Sequence, residues 1–289
     1  MKNLVEVYCL IDDLVKKIES RNLKKVAGRN AMLSKTDYIF LQILQQEYGF
    51  QTTKQLYNFV KEYMRKDFPP LPSYQQFCQG IRSSLRYFML ISWMITRICN
   101  DKKAKYNIVD SSPLLVCNNH HRYSAKVFKG LAASGKNMNG WFWGFKLHII
   151  IDNNMNIRSF TITDGSTHDI EVLENNFLNG IKGWLIGDKG YISKKKTSEL
   201  REQGIFLITK SRKNMKKYPA TSLFNMLMAQ RKKVESVLSS LKHRLLIINR
   251  YARSPESYFA RVFSVIISYT LKKSQKAIAS GLFQQFLIS

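Results

Sequence analysis

Three acids in a strongly basic chain have the type and setting to do chemistry: Asp110, Asp188 and Glu235. Asp110 closes the run Tyr106-Asn107-Ile108-Val109, and Asp188 closes Trp184-Leu185-Ile186-Gly187. Each is therefore expected at the end of a central strand, where ligands gather in open α/β sheets. Glu235 is the only acid between Glu202 and Glu256, an interval that holds twelve lysines and arginines. It borders an apolar stripe of Val234, Val237, Leu238, Leu241, Leu245 and Ile248, which places it on a packed helix at the edge of a cleft. A carboxylate there is costly to bury unless a positive group meets it, and a metal ion does so. Singly, each acid has an ordinary reading: a turn residue or helix cap for the aspartates, a surface residue for the glutamate. Together they suit phosphoryl transfer. Carboxylate oxygens are preferred ligands of Mg²⁺ or Mn²⁺. Two such ions roughly 4 Å apart activate the attacking oxygen and stabilise the leaving oxygen of an in-line displacement.

The partner is written in the charge. The 289 residues carry 46 lysines and arginines against 20 acids, a net charge of +26. Such a field draws polyanions, and nucleic acid is the expected one, a membrane surface being the alternative. The dense block Lys189 to Lys217 is a candidate contributor. No membrane span is expected: the longest uncharged apolar run, Tyr87 to Thr96, is about half the roughly 20 residues required. The N-terminal residues MKNLVEVYCLIDDL carry acids where a signal peptide is apolar. Cys9, Cys78, Cys99 and Cys117 form no CxxC pair, so reduced thiols are expected, with no zinc site, in a cytoplasmic, nucleoid-associated protein.

The elements that must position the acids follow from periodicity. Residues 1–104 read as helical, with a capping box at Ser34-Lys35-Thr36-Asp37 and a break at Phe68-Pro69-Pro70-Leu71-Pro72 before a cap at Ser73. This region fits a helix-turn-helix DNA reader, and it also fits any small helical bundle. From Lys105 the pattern turns to strands. A first strand ends at Asp110, and a basic loop runs to Gly140. Trp141 to Ile151 and Arg158 to Thr163 form a hairpin across Asp152-Asn153-Asn154-Met155-Asn156. A short helix is expected over His168 to Phe177, a strand into Asp188, a helix over Ser193 to Gln203 closed by Gly204, and a strand over Ile205 to Thr209. One long helix over Ser222 to Ile248 and another over Pro255 to Lys276 complete the order.

Four blocks then resemble, in order, those of the DDE transposases of bacterial insertion sequences. They are Val109-Asp110-Ser111-Ser112-Pro113, Gly144-Phe145-Lys146-Leu147-His148, Gly187-Asp188-Lys189-Gly190-Tyr191, and Arg231-x-x-x-Glu235-x6-Lys242. The resemblance covers roughly residues 105–250. It implies a ribonuclease-H-like mixed sheet with flanking helices, preceded by an all-α region. Asp110 would lie on the first strand, Asp188 at the fourth, and Glu235 on the helix after the fifth. It implies cleavage at terminal inverted repeats and transfer to target DNA by a dimer or larger assembly. It also implies that Arg231 and Lys242 contact DNA near the element's end. Many relatives carry a tyrosine three residues before that arginine; here the position is Met228.

Lys146 and Lys189 join Arg231 and Lys242 as candidate DNA contacts, the alternative being ordinary basic residues. His120-His121 reads as a loop pair, His148 as a satisfied sheet residue, and Asp169 as an N-terminal helix acid rather than a fourth ligand. Trp141-Phe142-Trp143 reads as core, with base stacking as the alternative. The expected domains are 1–104, 105–250 and a C-terminal helical extension, 251–289, packed on the core. Two rival functions stay open: a metal-dependent nuclease that does not join strands, and a basic DNA-binding protein without activity.

Overall fold

Apolar β-formers at Ile108-Val109 and Leu185-Ile186 build two adjacent parallel strands at the centre of a mixed sheet, and the rest of that unit is arranged around them. The computed structural model describes residues 4–21, 31–99, 104–137, 140–210, 221–245 and 253–274. They fall into two units: Cys99–Lys242, and Met1–Ile98 together with His243–Ser289. The expected boundaries at 104 and 250 are thus moved by several residues.

In the first unit, β1 (Asn107–Cys117) pairs antiparallel with β3 (Gly140–Asp152) along nearly its whole length. The opposite edge of β3 is shared by β2 (Ala133–Asn137) and β4 (Ile157–Asp164). On the other side, β1 runs parallel to β5 (Gly183–Ile186), which runs parallel to β6 (Ile205–Ile208). The order β4-β3-β1-β5-β6 is that of the expected ribonuclease-H-like sheet. The hairpin turn is built by Asp152, whose carboxylate accepts from the amides of Asn154 and Asn156 and from the Asn156 side chain. Met155 takes the left-handed conformation that the turn needs.

Four elements differ from expectation. The first strand does not stop at Asp110 but continues to Cys117, because antiparallel pairing with β3 sustains it after the parallel pairing has ended. The basic loop contains β2, whose Gly135 packs under Phe142 so closely that a Cβ would stand 2.3 Å from its ring. The helix over His168 to Phe177 is reduced to a single 3-10 turn, Asp169–Val172, since His168 supplies no side-chain cap. The long helix is two, α7 (Ser222–Ala229) and α8 (Lys232–Leu245). Between them the amides of Arg231, Lys233 and Val234 bond three residues back, to Met228, Gln230 and Arg231, which tightens the turn. Helix α6 (Lys194–Glu202) forms where expected, with Ser193 as its cap, and Gly204 follows at φ +75°. One face of the sheet packs a core of Val109, Ile150, Leu173, Phe177, Ile181, Leu185, Tyr191, Leu200 and Ile205.

The second unit is helical. Helix α1 (Leu4–Arg21) buries Val7, Leu10, Ile11, Leu14, Val15 and Ile18, the spacing of one face. Helices α2 (Lys35–Glu47), α3 (Thr53–Tyr63), α4 (Tyr74–Ser83) and α5 (Leu85–Ile98) follow, with capping boxes at Ser34, Thr52 and Ser73. Gly80 admits the Tyr38 ring, which a Cβ would meet at 2.0 Å. The expectation for residues 251–289 is corrected here. Helix α9 (Pro255–Lys273) packs chiefly on α5, α2 and α4, so it belongs to the helical bundle and not to the sheet unit. It is buried on nearly every side, and this all-round apolarity is why it forms the bundle's centre. Residues 275–289, the remainder of that expected extension, lie outside the described residues, as do 211–217 of the basic block and the end of the expected long helix at 246–248. Among the described residues no helix is long and apolar enough to cross a membrane.

Candidate catalytic centre

The parallel register of β1 and β5 pairs Asn107 with Leu185 and Ile108 with Ile186. Asp110 and Asp188 each lie two residues beyond the last parallel pair, so both acids stand at the same level, Asp110 within β1 and Asp188 just past the end of β5. Gly187 allows this closeness: a Cβ there would stand 3.1 Å from the Tyr191 ring and 3.2 Å from Val109. Asp110 is half-buried and accepts a 2.8 Å hydrogen bond from the Ser111 amide. Burial pushes its carboxyl up to about 6, and the nearby Asp188 and Asp169 push the same way, against the Ser111 amide and the Arg231 guanidinium.

Glu235 stands in the first turn of α8, where a negative charge also favours the helix. Arg231, in the tight turn just before that helix, joins it to the sheet. Its Nη1 donates to Asp188 Oδ1 at 2.6 Å and its Nη2 to Glu235 Oε1 at 3.2 Å. The turn is held in place by Tyr106, whose hydroxyl donates to Gln230 at 2.9 Å. Lys233 donates to the Tyr106 hydroxyl and to the Asn153 carbonyl. Valines 234 and 237 and Leu238 and Leu241 are buried, so the expected apolar stripe anchors this helix while Glu235 stays exposed. Two of the three acids thus bond one guanidinium, whose charge also acts on Asp110. Among the described residues, however, no three His, Cys, Asp or Glu side chains stand close enough together to hold a metal ion. The donor set, oxygen only, suits a hard divalent cation; the spacing has Arg231 in the position of the positive charge.

Lys242 is half-buried on α8, seven residues after Glu235 and so on the same face. Lys189 is exposed directly after Asp188. Lys146 is placed differently. It shares a sheet face with His148 and Ser111, the face opposite to Asp110. There its Nζ donates to the Thr167 carbonyl at 2.7 Å and pairs with Asp169 at 3.3 Å.

Asp169 is the residue that sequence reasoning undervalued. Its Oδ1 also accepts from the Ser111 hydroxyl at 3.1 Å, and its Oδ2 would be 3.0 Å from a Cβ on Gly190. It therefore holds the residue after Asp110 by a hydrogen bond and packs against the segment that follows Asp188. The signal was present in the alternation Lys146-x-His148, two polar residues on an otherwise apolar strand facing the core side. His148 is fully buried, hydrogen-bonded to Thr163 at 3.0 Å, with its Nδ1 4.0 Å from Asp169. Burial lowers its pKa to about 4, Asp169 resisting and Lys146 assisting. Phe142 is core as expected, whereas Trp141 is exposed, with Lys136 5.7 Å from its ring centre. His120 and His121 stack on each other at 4.4 Å on an exposed turn.

Comparison with known proteins agrees with this layout. No curated protein matches the chain in sequence. Among solved structures it is similar to a piggyBac transposase, seen by cryo-electron microscopy in a synaptic complex with hairpin DNA. The TM-score is 0.50 at 12% identity, covering 98% of this chain and 80% of that one. At such low identity the likeness speaks to the fold. The family model of the transposase DDE domain matches residues 100–254, more than half of the chain, a span within which positions 110, 188 and 235 fall. The protein belongs to that family and is a DDE transposase.

Proposed function

We propose that this transposase acts on double-stranded DNA, cutting at the terminal inverted repeats of a bacterial insertion sequence and joining the freed ends to target DNA. The observation that carries the reading is the level placement of Asp110 and Asp188 on neighbouring parallel strands, with Glu235 drawn to Asp188 by a shared arginine. Asp110, Asp188 and Glu235 would hold two Mg²⁺ or Mn²⁺ ions once Arg231 gives up its bonds to the carboxylates. Such ions supply charge stabilisation for the attacking and leaving oxygens. Arg231, Lys242 and Lys189 align the DNA phosphates beside the acids, and the freed guanidinium finds its anion there. Lys146 is better supported as the counter-ion of Asp169, behind the strand that carries Asp110. The helical unit contributes DNA affinity, and the joining of two ends calls for a homodimer or larger assembly on DNA.

The deciding experiment is a strand-transfer assay on end-containing duplexes with magnesium or manganese. Cleaved and joined products together support the reading. Cleavage without joining would make the protein a nuclease, and neither product would leave a basic DNA-binding protein.

A further inference from the structure

Within the helical unit, α3, α4 and α9 enclose a cleft of about 750 Å³. Its lining includes Lys54, Arg82, Arg253 and Arg261, and no acidic residue lines it. The first turns of all three helices open onto it, through Thr53 and Lys54, Tyr74 and Gln75, and Ser254 and Ser257. Each cap side chain satisfies one amide, at Gln55, Gln76 and Ser257, and the helix ends retain partial positive charge. Three such ends beside four cations make a concentrated anion field.

Arg261 supplies an independent sign that a ligand is missing. It is only 7% exposed, and its Nη2 donates to the Phe50 carbonyl at 3.0 Å. Its Nε has no hydrogen-bond acceptor, and among the described residues it makes no ion pair. A buried guanidinium without an anion is costly, and an oxyanion seated in the cleft would offset that cost. Lys54, 4.5 Å from the Tyr74 ring centre, adds a cation already held against an aromatic wall.

We propose that this cleft is a phosphate-binding site that grips the sugar–phosphate backbone of DNA outside the catalytic unit. The assignment rests on the reading that the protein binds DNA, and it adds where the helical unit does so. The site is assembled from both ends of the sequence: residues 51–82 provide two helix ends and residues 253–261 the third. Gripping the backbone is a positioning contact and carries no sequence preference.

The test compares two triple variants of the full chain with equal charge loss. K54Q/R82Q/R253Q removes the three exposed cations of the cleft, and K61Q/R65Q/K66Q removes three exposed cations elsewhere in the same unit. Affinity for a mixed-sequence duplex is measured against salt. The cleft variant is expected to lower the slope of log affinity against log salt by roughly 2 to 3, near 0.9 for each lost phosphate contact, and the control by less than about 1. Equal losses would mean a diffuse field and overturn the site. An unchanged slope in the cleft variant, with a steep slope in the wild type, would overturn the site and leave DNA binding intact. A flat slope in the wild type would sink the DNA reading itself. A second measurement needs no variant. Cys78 lines the cleft, whereas Cys9 is exposed at a distance in sequence on α1. Duplex DNA is expected to slow alkylation of Cys78 at least several-fold and to leave Cys9 unchanged. Protection by inorganic phosphate but not by DNA would place a free anion there and overturn the proposal, as would no protection by either.

Discussion

Asp110 and Asp188 stand in matching register, each two residues past the paired Ile108 and Ile186. Their closeness follows from the adjacency of β1 and β5, since neighbouring strands lie roughly 4.8 Å apart, with Asp188 two residues past the end of β5. Burial is the main cause of the raised Asp110 carboxyl, and the negative charge of neighbouring Asp188 adds to it. A positive group between them relieves the repulsion. Arg231 performs part of that role on the Asp188 side, where the guanidinium also reaches Glu235.

The first prediction concerns these acids. Asp110→Ala, Asp188→Ala and Glu235→Ala are each expected to lower cleavage by roughly a thousandfold or more, equivalent to about 4 kcal/mol of lost charge stabilisation. Binding of duplex DNA should be unchanged or slightly stronger, because each change removes a negative charge. Cleavage at the wild-type rate by any one variant would remove that residue from the centre.

The Lys146–Asp169 pair gives a second test, since it separates support of the site from contact with DNA. Asp169→Ala is expected to slow joining roughly tenfold to a hundredfold, the usual cost of losing a group that orients a metal ligand. Asp169→Asn, which keeps an acceptor for Ser111, should recover part of the rate. Lys146→Ala should leave the salt dependence of DNA affinity unaltered. A slope lower by about 1, with joining intact at saturating DNA, would instead make Lys146 a phosphate contact.

His148 makes stability depend on pH in a stated direction. Its folded pKa, about 4, lies below the ordinary 6.5 because burial disfavours the imidazolium. The unfolded chain therefore takes up a proton first as pH falls. Stability contributed by neutral His148 is complete above about pH 6.5 and is lost progressively toward pH 4, by on the order of 3 kcal/mol. Denaturant unfolding at pH 7.5, 5.5 and 4.5 should show wild type losing more stability than His148→Gln over this window. Parallel losses would mean that His148 does not govern it.

Much of this was legible in the sequence because it rests on local patterns. Apolar β-runs ending in acids, the caps at Ser34 and Ser73, and the Asp152–Asn156 turn each encode their own geometry. What was hidden depends on partners distant in sequence. Asp110 ends an apolar run but not a strand, since β3 extends β1 past it. Asp169 looked like a helix acid because Ser111, 58 residues away, is invisible to periodicity. The apolar α9 gave no sign of which domain it completes, for a helix buried on all sides has no face to read. The break before Arg231 was equally silent, because no glycine or proline marks it, yet it is what turns the arginine toward Asp188.

That break leads to the last prediction. Many basic residues share DNA affinity, but few stand close enough to align a phosphate with the acids, and misplacement by about 1 Å can cost around a hundredfold in rate. Arg231→Gln and Lys242→Ala are accordingly expected to slow joining at saturating DNA by roughly tenfold to a hundredfold while weakening binding little. Lys272→Ala, a change at the exposed C-terminal end of α9, should behave as wild type. Arg231 carries a further signature that a plain DNA contact lacks. Its guanidinium occupies oxygens of Asp188 and Glu235 that a cation would need, and both carboxylates are about half exposed, so the pairing is worth about 1 kcal/mol. Without DNA, Arg231→Gln should therefore bind Mn²⁺ roughly fivefold more tightly, whereas Lys242→Ala should not. Tighter metal binding together with slower joining would identify one arginine that guards the carboxylates and then turns to the DNA. Unchanged metal affinity would reduce Arg231 to a phosphate contact, and unchanged joining as well would leave only the three acids in the centre.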